Sequence, residues 1–326
     1  MKTVFITGIS GYFGEKFLSF LDTKPEVERI IGIDIKAPGI SSAKLEFIRH
    51  DVRHDLFPLL KDKDIDYVIH TAYVLPPNHD KDMMEDININ GTRNVFDSCE
   101  RAGIKHILDC SSTTAYGFHE DNPEFLTEES ELRGNDDFTY SKNKKELELF
   151  MRAYRQAHSD ICLTIIRPCF VVGPGFDNPL ARHLQKKIVF LGTTSAPFQY
   201  IHEDDLVEIA YRLMKEKKDG IYNLGADGTI TFEEMVRMLG NIPVKIPNRI
   251  LYFLNSIFWN LRLTFLTEFP SPCLNMLQYR WVASNEKVKK ELDYTLRYTT
   301  RQAFEDFAES VHKNNDRTPG ESKRSG

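Results

Sequence analysis

The sequence predicts an α/β fold: a doubly wound parallel sheet with a smaller, mostly helical lobe towards the C-terminus. Three observations predict it. Short apolar, β-branched runs alternate with amphipathic stretches from residue 3 to 168, the signature of a parallel sheet covered on both faces. "FITGISGYFG" (5–14) sets Gly8, Gly11 and Gly14 at the first strand–helix junction. The second apolar run ends in Asp34, 26 residues after Gly8.

The elements follow in order. "TVFIT" (3–7) is a buried strand stopped by glycine, and "YFGEKFLSFLD" (12–22) has apolar residues at helical spacing. "RIIGIDI" (29–35), "KLEFIRHDV" (44–52) and "DYVIHTAY" (66–73) contain the next three strands. A long helix is predicted over 83–103, ended by Gly103 with Arg101 in its last turn. "HILDCSS" (106–112) and "CLTIIRP" (162–168) are two further strands, separated by a long helix over 140–158. "VVGPG" (171–175) reads as a loop, and 200–227 returns to helix and then strand. Residues 231–312 read as mostly helical and irregular. Domain limits follow: 1–170 for the nucleotide-binding unit, rejoined by about 198–225; 171–313 mainly for a substrate lobe; and 314–326 as a polar, disordered tail.

Composition narrows the function. With 42 basic and 48 acidic side chains the net charge is −6, which argues against nucleic acid as a partner. The five cysteines stand far apart without a CxxC pair, so neither zinc nor a redox dithiol is expected, and a reducing cytoplasm is the simpler reading. The opening "MKTVFITG" lacks the longer apolar core of a secretory leader. The apolar stretch 246–266 carries Arg249, Asn255, Asn260 and Arg262, costly in a spanning helix. It reads as a lobe helix packed on the core in preference to one in contact with a membrane, with room for it to line a substrate pocket. "HEDD" (202–205) reads as a helix start, its carboxylates favoured by the helix dipole, rather than as a metal site.

The glycine loop carries the first chemistry. Glycine at these positions allows a tight turn, close approach of backbone to a pyrophosphate, and close helix–sheet packing. The helix N-terminus offers amide donors to phosphate. Tyr12 and Phe13, between Gly11 and Gly14, join the expected cofactor contacts. Asp34 sits where a carboxylate meets the adenosine ribose hydroxyls. A 2′-phosphate would meet it with like charge, so NAD is favoured and NADP comes second; Lys36 weakens that preference.

At this point the chain resembles the extended short-chain dehydrogenase/reductase family, the NAD-dependent epimerase/dehydratases of Rossmann type, from Met1 to about Phe307. The glycine loop matches that family's TGxxGxxG pattern. "HDV" (50–52) resembles its adenine-contacting pair, here Asp51 and Val52. "HTAY" (70–73) resembles its strand end lining the cofactor, with His70 and Ala72. "NINGTRNV" (88–95) resembles a helix motif starting at Asn88. "SSTTAYG" (111–117) puts Ser112 at the catalytic serine position, and "YSKNK" (140–144) matches YxxxK. "RPCFVVGPG" (167–175) places Pro168 at the cofactor, with Val172 in place of the usual tyrosine. Two alternatives remain for Asn88, which bonds backbone or organises a water, and for His70, which lines the adenosine side or is a satisfied core histidine. The resemblance also implies a homodimer through the two long helices.

Hydride transfer at a carbon bearing oxygen needs a proton transfer at that oxygen. Tyr140 and Lys144 stand one helical turn apart, on one face. A lysine ammonium and an oxidised nicotinamide both favour a tyrosine phenolate. The resemblance implies Tyr140 as acid/base, Lys144 as its tuner and ribose anchor, and Ser112 as the donor that positions the substrate oxygen. Cys169 reads as packing.

The substrate is less legible. Family members acting on nucleotide-sugars place a diphosphate-binding arginine in a stretch like "RDFIHVDD"; here "FQYIHEDD" has Phe198 and Gln199. Arg280, Arg182, Lys186 and Lys187 are candidates to replace it. Thr113 and Thr114 occupy the positions of the acidic pair of 4,6-dehydratases, which disfavours that reaction. The expected function is thus a nucleotide-sugar epimerase. The alternative is a net NAD(P)-dependent oxidoreductase on an apolar alcohol or ketone, like the hydroxysteroid dehydrogenases. Behind both stands a non-catalytic NAD-binding sensor.

Overall fold

A computed structural model describes residues 2–75 and 79–316. Its centre is a seven-stranded sheet. The strands are β1 (Thr3–Thr7), β2 (Arg29–Asp34), β3 (Leu45–Arg49), β4 (Tyr67–His70), β5 (His106–Cys110), β6 (Cys162–Pro168) and β7 (Gly220–Leu224). Their spatial order is β3-β2-β1-β4-β5-β6-β7, and every neighbouring pair is parallel. The order reverses between β1 and β4, which pair at Val4↔Tyr67. That reversal opens a crevice at the carboxyl ends of the strands, where α/β folds bind ligands.

The main helices are α1 (Tyr12–Asp22), α2 (Gly91–Arg101), α3 (Thr139–Ala157), α4 (Glu203–Lys215) and α5 (Asn248–Asn260). The apolar side chains of α1 and α4 form one core with Val4, Ile6 and Ile30. Those of α2 and α3 form another with Phe5, Ile31 and Val68. Because side chains alternate along a strand, β1 feeds both cores: Val4, Phe5 and Ile6 are all fully buried. A third core belongs to the C-terminal lobe, around Phe198, Tyr200, Phe304 and Trp281.

Three expectations are corrected. The single helix predicted over 83–103 is interrupted: Lys81–Glu85 is α-helical, Asp86–Asn90 forms a π-helical turn, and α2 begins at Gly91. The wide turn is held by Asn88, whose fully buried carboxamide accepts from Val74 N–H at 2.8 Å and donates to the Val74 carbonyl at 3.3 Å. Part of the loop predicted over 171–175 is a strand, Phe170–Val172, paired in parallel with Tyr200–His202. The C-terminal helix Thr300–Asp316 runs into the segment predicted as tail; the rest of that tail lies outside the described residues.

The expectation for 246–266 holds on one side only. In α5, Asn255 is the only buried side chain. Its carboxamide donates to Ser271 Oγ and to the Phe269 carbonyl, both at 3.1 Å. Much of the helix's apolar surface stays open to solvent. Among the described residues no helix is long and apolar enough to cross a membrane.

One buried ion pair joins the sheet to α3. Arg167, near the end of β6, meets Glu148 with both side chains fully buried. Its Nε donates to Glu148 Oε1 at 2.7 Å, and its Nη1 donates to Tyr116 Oη at 2.5 Å. Tyr116 Oη donates in turn to Asn223 Oδ1 on β7 at 2.8 Å. Ser111 Oγ donates to Glu148 Oε1 at 2.6 Å. Removing one partner strands a buried charge. Arg167→Met is expected to cost about 3–5 kcal/mol in urea unfolding, with the Glu148→Leu/Arg167→Met double variant closer to wild type than the single one. A single variant as stable as wild type would refute the role given to the pair.

Candidate active site

The parallel strands deliver the sequence-predicted residues to one edge of the sheet. At the end of β1, Gly8 has φ +71°, and a Cβ there would lie 2.6 Å from Ala72 Cα. A Cβ on Gly14 would lie 2.2 Å from the Gly8 carbonyl oxygen. Glycine is therefore required at both positions, and the loop lies flat against the end of β4. The amides at the start of α1 have no intrahelical acceptors, and with the helix dipole they form a cradle for phosphate. Asp34 closes the cradle from β2, accepting from Ser10 N–H at 3.1 Å. Glycine-lined backbone, a helix N-terminus and a carboxylate together fit a dinucleotide.

The other cofactor candidates divide. Asp51 is paired with Arg53 at 2.7 Å, and Arg53 reaches on to Asp86 at 3.1 Å. That guanidinium holds the Asp51 carboxyl below its usual range. Val52 is buried, and a Cβ on Gly91 would come within 2.8 Å of its Cγ2. His70 has both ring nitrogens engaged, Nδ1 with Thr7 Oγ1 at 2.6 Å and Nε2 with Thr92 Oγ1 at 2.9 Å. Burial first, and the Lys144 charge second, push its pKa down to about 3. Both ring nitrogens are thus spent within the chain, and the ring ties the end of β4 to Thr7 and Thr92. Asn88 is likewise spent on Val74 backbone.

Ser112 and Tyr140 line one cavity of about 560 Å³, with Tyr12, Phe13 and Pro168 also in its wall. Ser112 follows β5 in extended backbone, φ −163°, and its Oγ accepts from Thr114 N–H at 3.2 Å. Tyr140 opens α3 and stands edge-on to Tyr73, ring centres 5.5 Å apart. Lys144 lies one turn further on, buried, and donates to the Cys110 carbonyl at 2.9 Å. Its Nζ sits 3.8 Å from the centre of the Tyr73 ring and 6.0 Å from that of Tyr140. Both cation–π geometries are attractive.

Sequence reasoning missed several neighbours. Thr114 lines the cavity, and its Oγ1 has no partner within the described chain; such a hydroxyl is available to a ligand. The repeated hydroxyls of "SSTTAYG" were the available signal. Tyr73, beneath the Lys144 ammonium, has no sequence signature. Glu203 receives hydrogen bonds from Tyr12 Oη and from Lys16 Nζ, which tethers the glycine loop to α4. The remaining cavity wall is mostly apolar and aromatic, with Phe118, Phe138, Phe170, Phe232 and Trp281 among its members; Asp177, Asn178, His183 and Asn255 are polar exceptions. Cys169 is in it too, its thiol pushed up by burial.

None of the basic candidates for a diphosphate anchor lines this cavity. Arg182 is paired with Glu268 and Asp177. Lys186 donates to the Leu266 carbonyl at 3.0 Å, and Arg280 to the Glu124 carbonyl at 3.0 Å. Phe198 is fully buried and stacks on Phe170 at 5.8 Å.

Fold and site together define a dinucleotide-binding α/β protein with a serine–tyrosine–lysine set at the carboxyl edge of its sheet. The NAD dependent epimerase/dehydratase family matches residues 4–225, and the chain belongs to that family. An uncharacterized protein of Mycobacterium tuberculosis is 27% identical over 315 residues, covering 94% of this chain and 83% of its own. The undecaprenol-linked N-acetylglucosamine 4-epimerase of Escherichia coli O157:H7 (N-acetyl-alpha-D-glucosaminyl-diphospho-ditrans,octacis-undecaprenol 4-epimerase) is 38% identical over 90 residues, 27% of this chain and 25% of that enzyme. The fold is similar to that of dTDP-glucose 4,6-dehydratase from Bacillus anthracis, solved in complex with NAD. That similarity has a TM-score of 0.74 at 18% identity and covers 96% of this chain and 97% of that one.

Behind the site, Asp109 on β5 is buried, and the charged groups Lys144 and Glu148 face it. Burial raises its carboxyl from the ordinary 3.8 to about 7. The folded chain then holds a proton that the unfolded chain releases. This favours folding most at low pH, and the advantage is lost as pH rises from about 4 to about 7. Asp109→Asn is therefore expected to gain melting temperature relative to wild type on going from pH 5 to pH 8. A difference that stays constant over that range would count against the assignment.

Proposed function

We propose that the protein is an NAD-dependent oxidoreductase that interconverts an alcohol and a ketone on a largely apolar molecule, such as a sterol or another apolar carbonyl compound. The observation that carries this reading is the cavity over Ser112 and Tyr140: its wall is mostly apolar and aromatic, and it holds no lysine or arginine while Asp177 adds a carboxylate. A nucleotide diphosphate brings at least two negative charges, and burying them without cations costs far more than the contacts return. An apolar ring system gains on entering the same cavity.

The residues that would hold NAD are the glycine loop, the start of α1 and Asp34. When bound, NAD supplies the hydride acceptor or donor. Ser112 Oγ hydrogen-bonds the substrate oxygen and orients it. Tyr140 takes the hydroxyl proton in oxidation and returns it in reduction. Lys144 supplies the buried positive charge that favours negative oxygen nearby, held in place by the Cys110 carbonyl and the Tyr73 ring. Thr114 Oγ1 offers a second hydroxyl to the substrate.

A second reading, sugar epimerisation, is favoured by the family and by the polyprenol-linked relative. It keeps the same proton and hydride chemistry with no net redox change. In that case the diphosphate would lie outside the apolar cavity.

A ligand screen separates these readings, and a variant tests the proton carrier they share. With NAD⁺ present, apolar ketones or alcohols are expected to raise the melting temperature by linkage, and UDP or dTDP to leave it unchanged. The reverse pattern would sink the oxidoreductase reading. Tyr140→Phe is expected to lower kcat/KM for NADH formation by roughly 10²–10⁴-fold while leaving NAD affinity unchanged. Full activity in that variant would remove Tyr140 from the mechanism, and the sensor reading would gain if wild type turned over nothing in a broad alcohol panel.

A further inference from the structure

The C-terminal lobe carries an apolar face that the activity above does not require. Ten of the fifteen exposed large apolar side chains among the described residues fall between 188 and 266. Phe253, Ile257 and Leu261 repeat every four residues along α5 and its end, so they form one stripe, and Phe265 is exposed in the turn that follows the helix. Phe253 is 63% exposed, Leu261 64% and Phe265 71%. Soluble surfaces seldom gather such side chains without a partner.

The stripe is continuous with the cavity. Ile250, Leu254, Leu266 and Phe190 line the cavity and are themselves exposed. An unbroken apolar path therefore runs from this face to the space above Ser112 and Tyr140.

Charge identifies the partner. In a chain of net charge −6, Met235–Thr267 contains four basic residues and no Asp or Glu; Arg237 and Lys245 pair with Glu233, which leaves Arg249 and Arg262. Arg249 and Arg262 flank the stripe, both exposed, and neither forms a side-chain ion pair among the described residues. Lys187 is also exposed on this lobe. A short helix with aromatic and aliphatic residues on one face, cations at its ends and no compensating acid is suited to lie in the interface of an anionic bilayer.

We propose that this face docks the lobe on an anionic phospholipid membrane, with the cavity mouth opening into the acyl region so that an apolar substrate enters directly from the bilayer. The inference rests on the apolar-substrate reading for what enters, and on the exposed stripe and its charges for where the protein sits. Docking is peripheral: α5 lies along the surface and does not span it.

The test is flotation of the full chain with phosphatidylcholine vesicles prepared with and without phosphatidylglycerol. The protein is expected to float with the anionic vesicles and to be released by salt high enough to screen surface charges. Phe253→Ser/Phe265→Ser and, separately, Arg249→Glu/Arg262→Glu are each expected to lower the bound fraction about tenfold or more. Both pairs are exposed, so an unchanged melting temperature verifies folding. Failure to float with either vesicle, binding indifferent to phosphatidylglycerol and salt, or retention by both variants would overturn docking. So would a dimer that falls apart in Phe253→Ser/Phe265→Ser, because a second copy would then cover the face. Turnover of a water-soluble ketone separates the two claims: if it persists without flotation, docking alone falls; if flotation persists without turnover, the activity alone falls.

Discussion

The Glu148–Arg167 ion pair is the constraint on which the site depends. Arg167 and Glu148 are both fully buried, and burying a guanidinium and a carboxylate is tolerable only when each satisfies the other in good geometry. Here the pair does more than neutralise itself. Glu148 is two turns from Tyr140 and one from Lys144 on the same face of α3, so fixing Glu148 fixes the azimuth of that face. Glu148 also receives Ser111 Oγ, which sets the backbone immediately before Ser112. Through Tyr116 the guanidinium reaches Asn223 on β7. One buried charge pair thus registers α3 against β5, β6 and β7, the elements that carry or support Ser112, Tyr140 and Lys144.

The cofactor side is held by different physics. The glycine loop has no ion pair at its centre; it is positioned by steric exclusion, since any side chain at Gly8 or Gly14 would collide with backbone. Asp34 braces the loop through Ser10, and Glu203 tethers it from α4 through Tyr12 and Lys16. His70, held neutral by burial, and Asn88, closed on Val74, are part of this support. Residues that a motif places at a cofactor can therefore serve it from behind, by holding the loop that makes the contact.

The substrate lobe contrasts with both. Its cavity wall is largely aromatic where the sheet edge is polar, so the hydroxyls of Ser112, Thr114 and Tyr140 stand at one end and mostly hydrocarbon lines the rest. Phe198, packed between Phe170 and Phe232, contributes to that dryness from behind. The same lobe leaves its outer helix half-covered, which links what the cavity accepts to where the protein would find it.

The sequence by itself determined the parallel sheet, the glycine loop, Asp34, and the spacing of Tyr140 and Lys144. These are short-range properties: strand and helix periodicity repeats within a few residues, a positive-φ turn demands glycine locally, and a four-residue spacing on a helix needs no partner to be read. Tertiary structure alone decided the π-helical turn at Asp86–Asn90, because its cause is Val74, fourteen residues away. It decided that Phe170–Val172 is a strand, because the partner is Tyr200–His202. It took Arg182 and Arg280 out of the cavity by giving them other partners. It left α5 with one buried side chain, where its composition pointed to a helix packed on the core. In each case the deciding contact joins segments far apart in the chain, and side-chain periodicity carries no record of which distant surface a residue will meet.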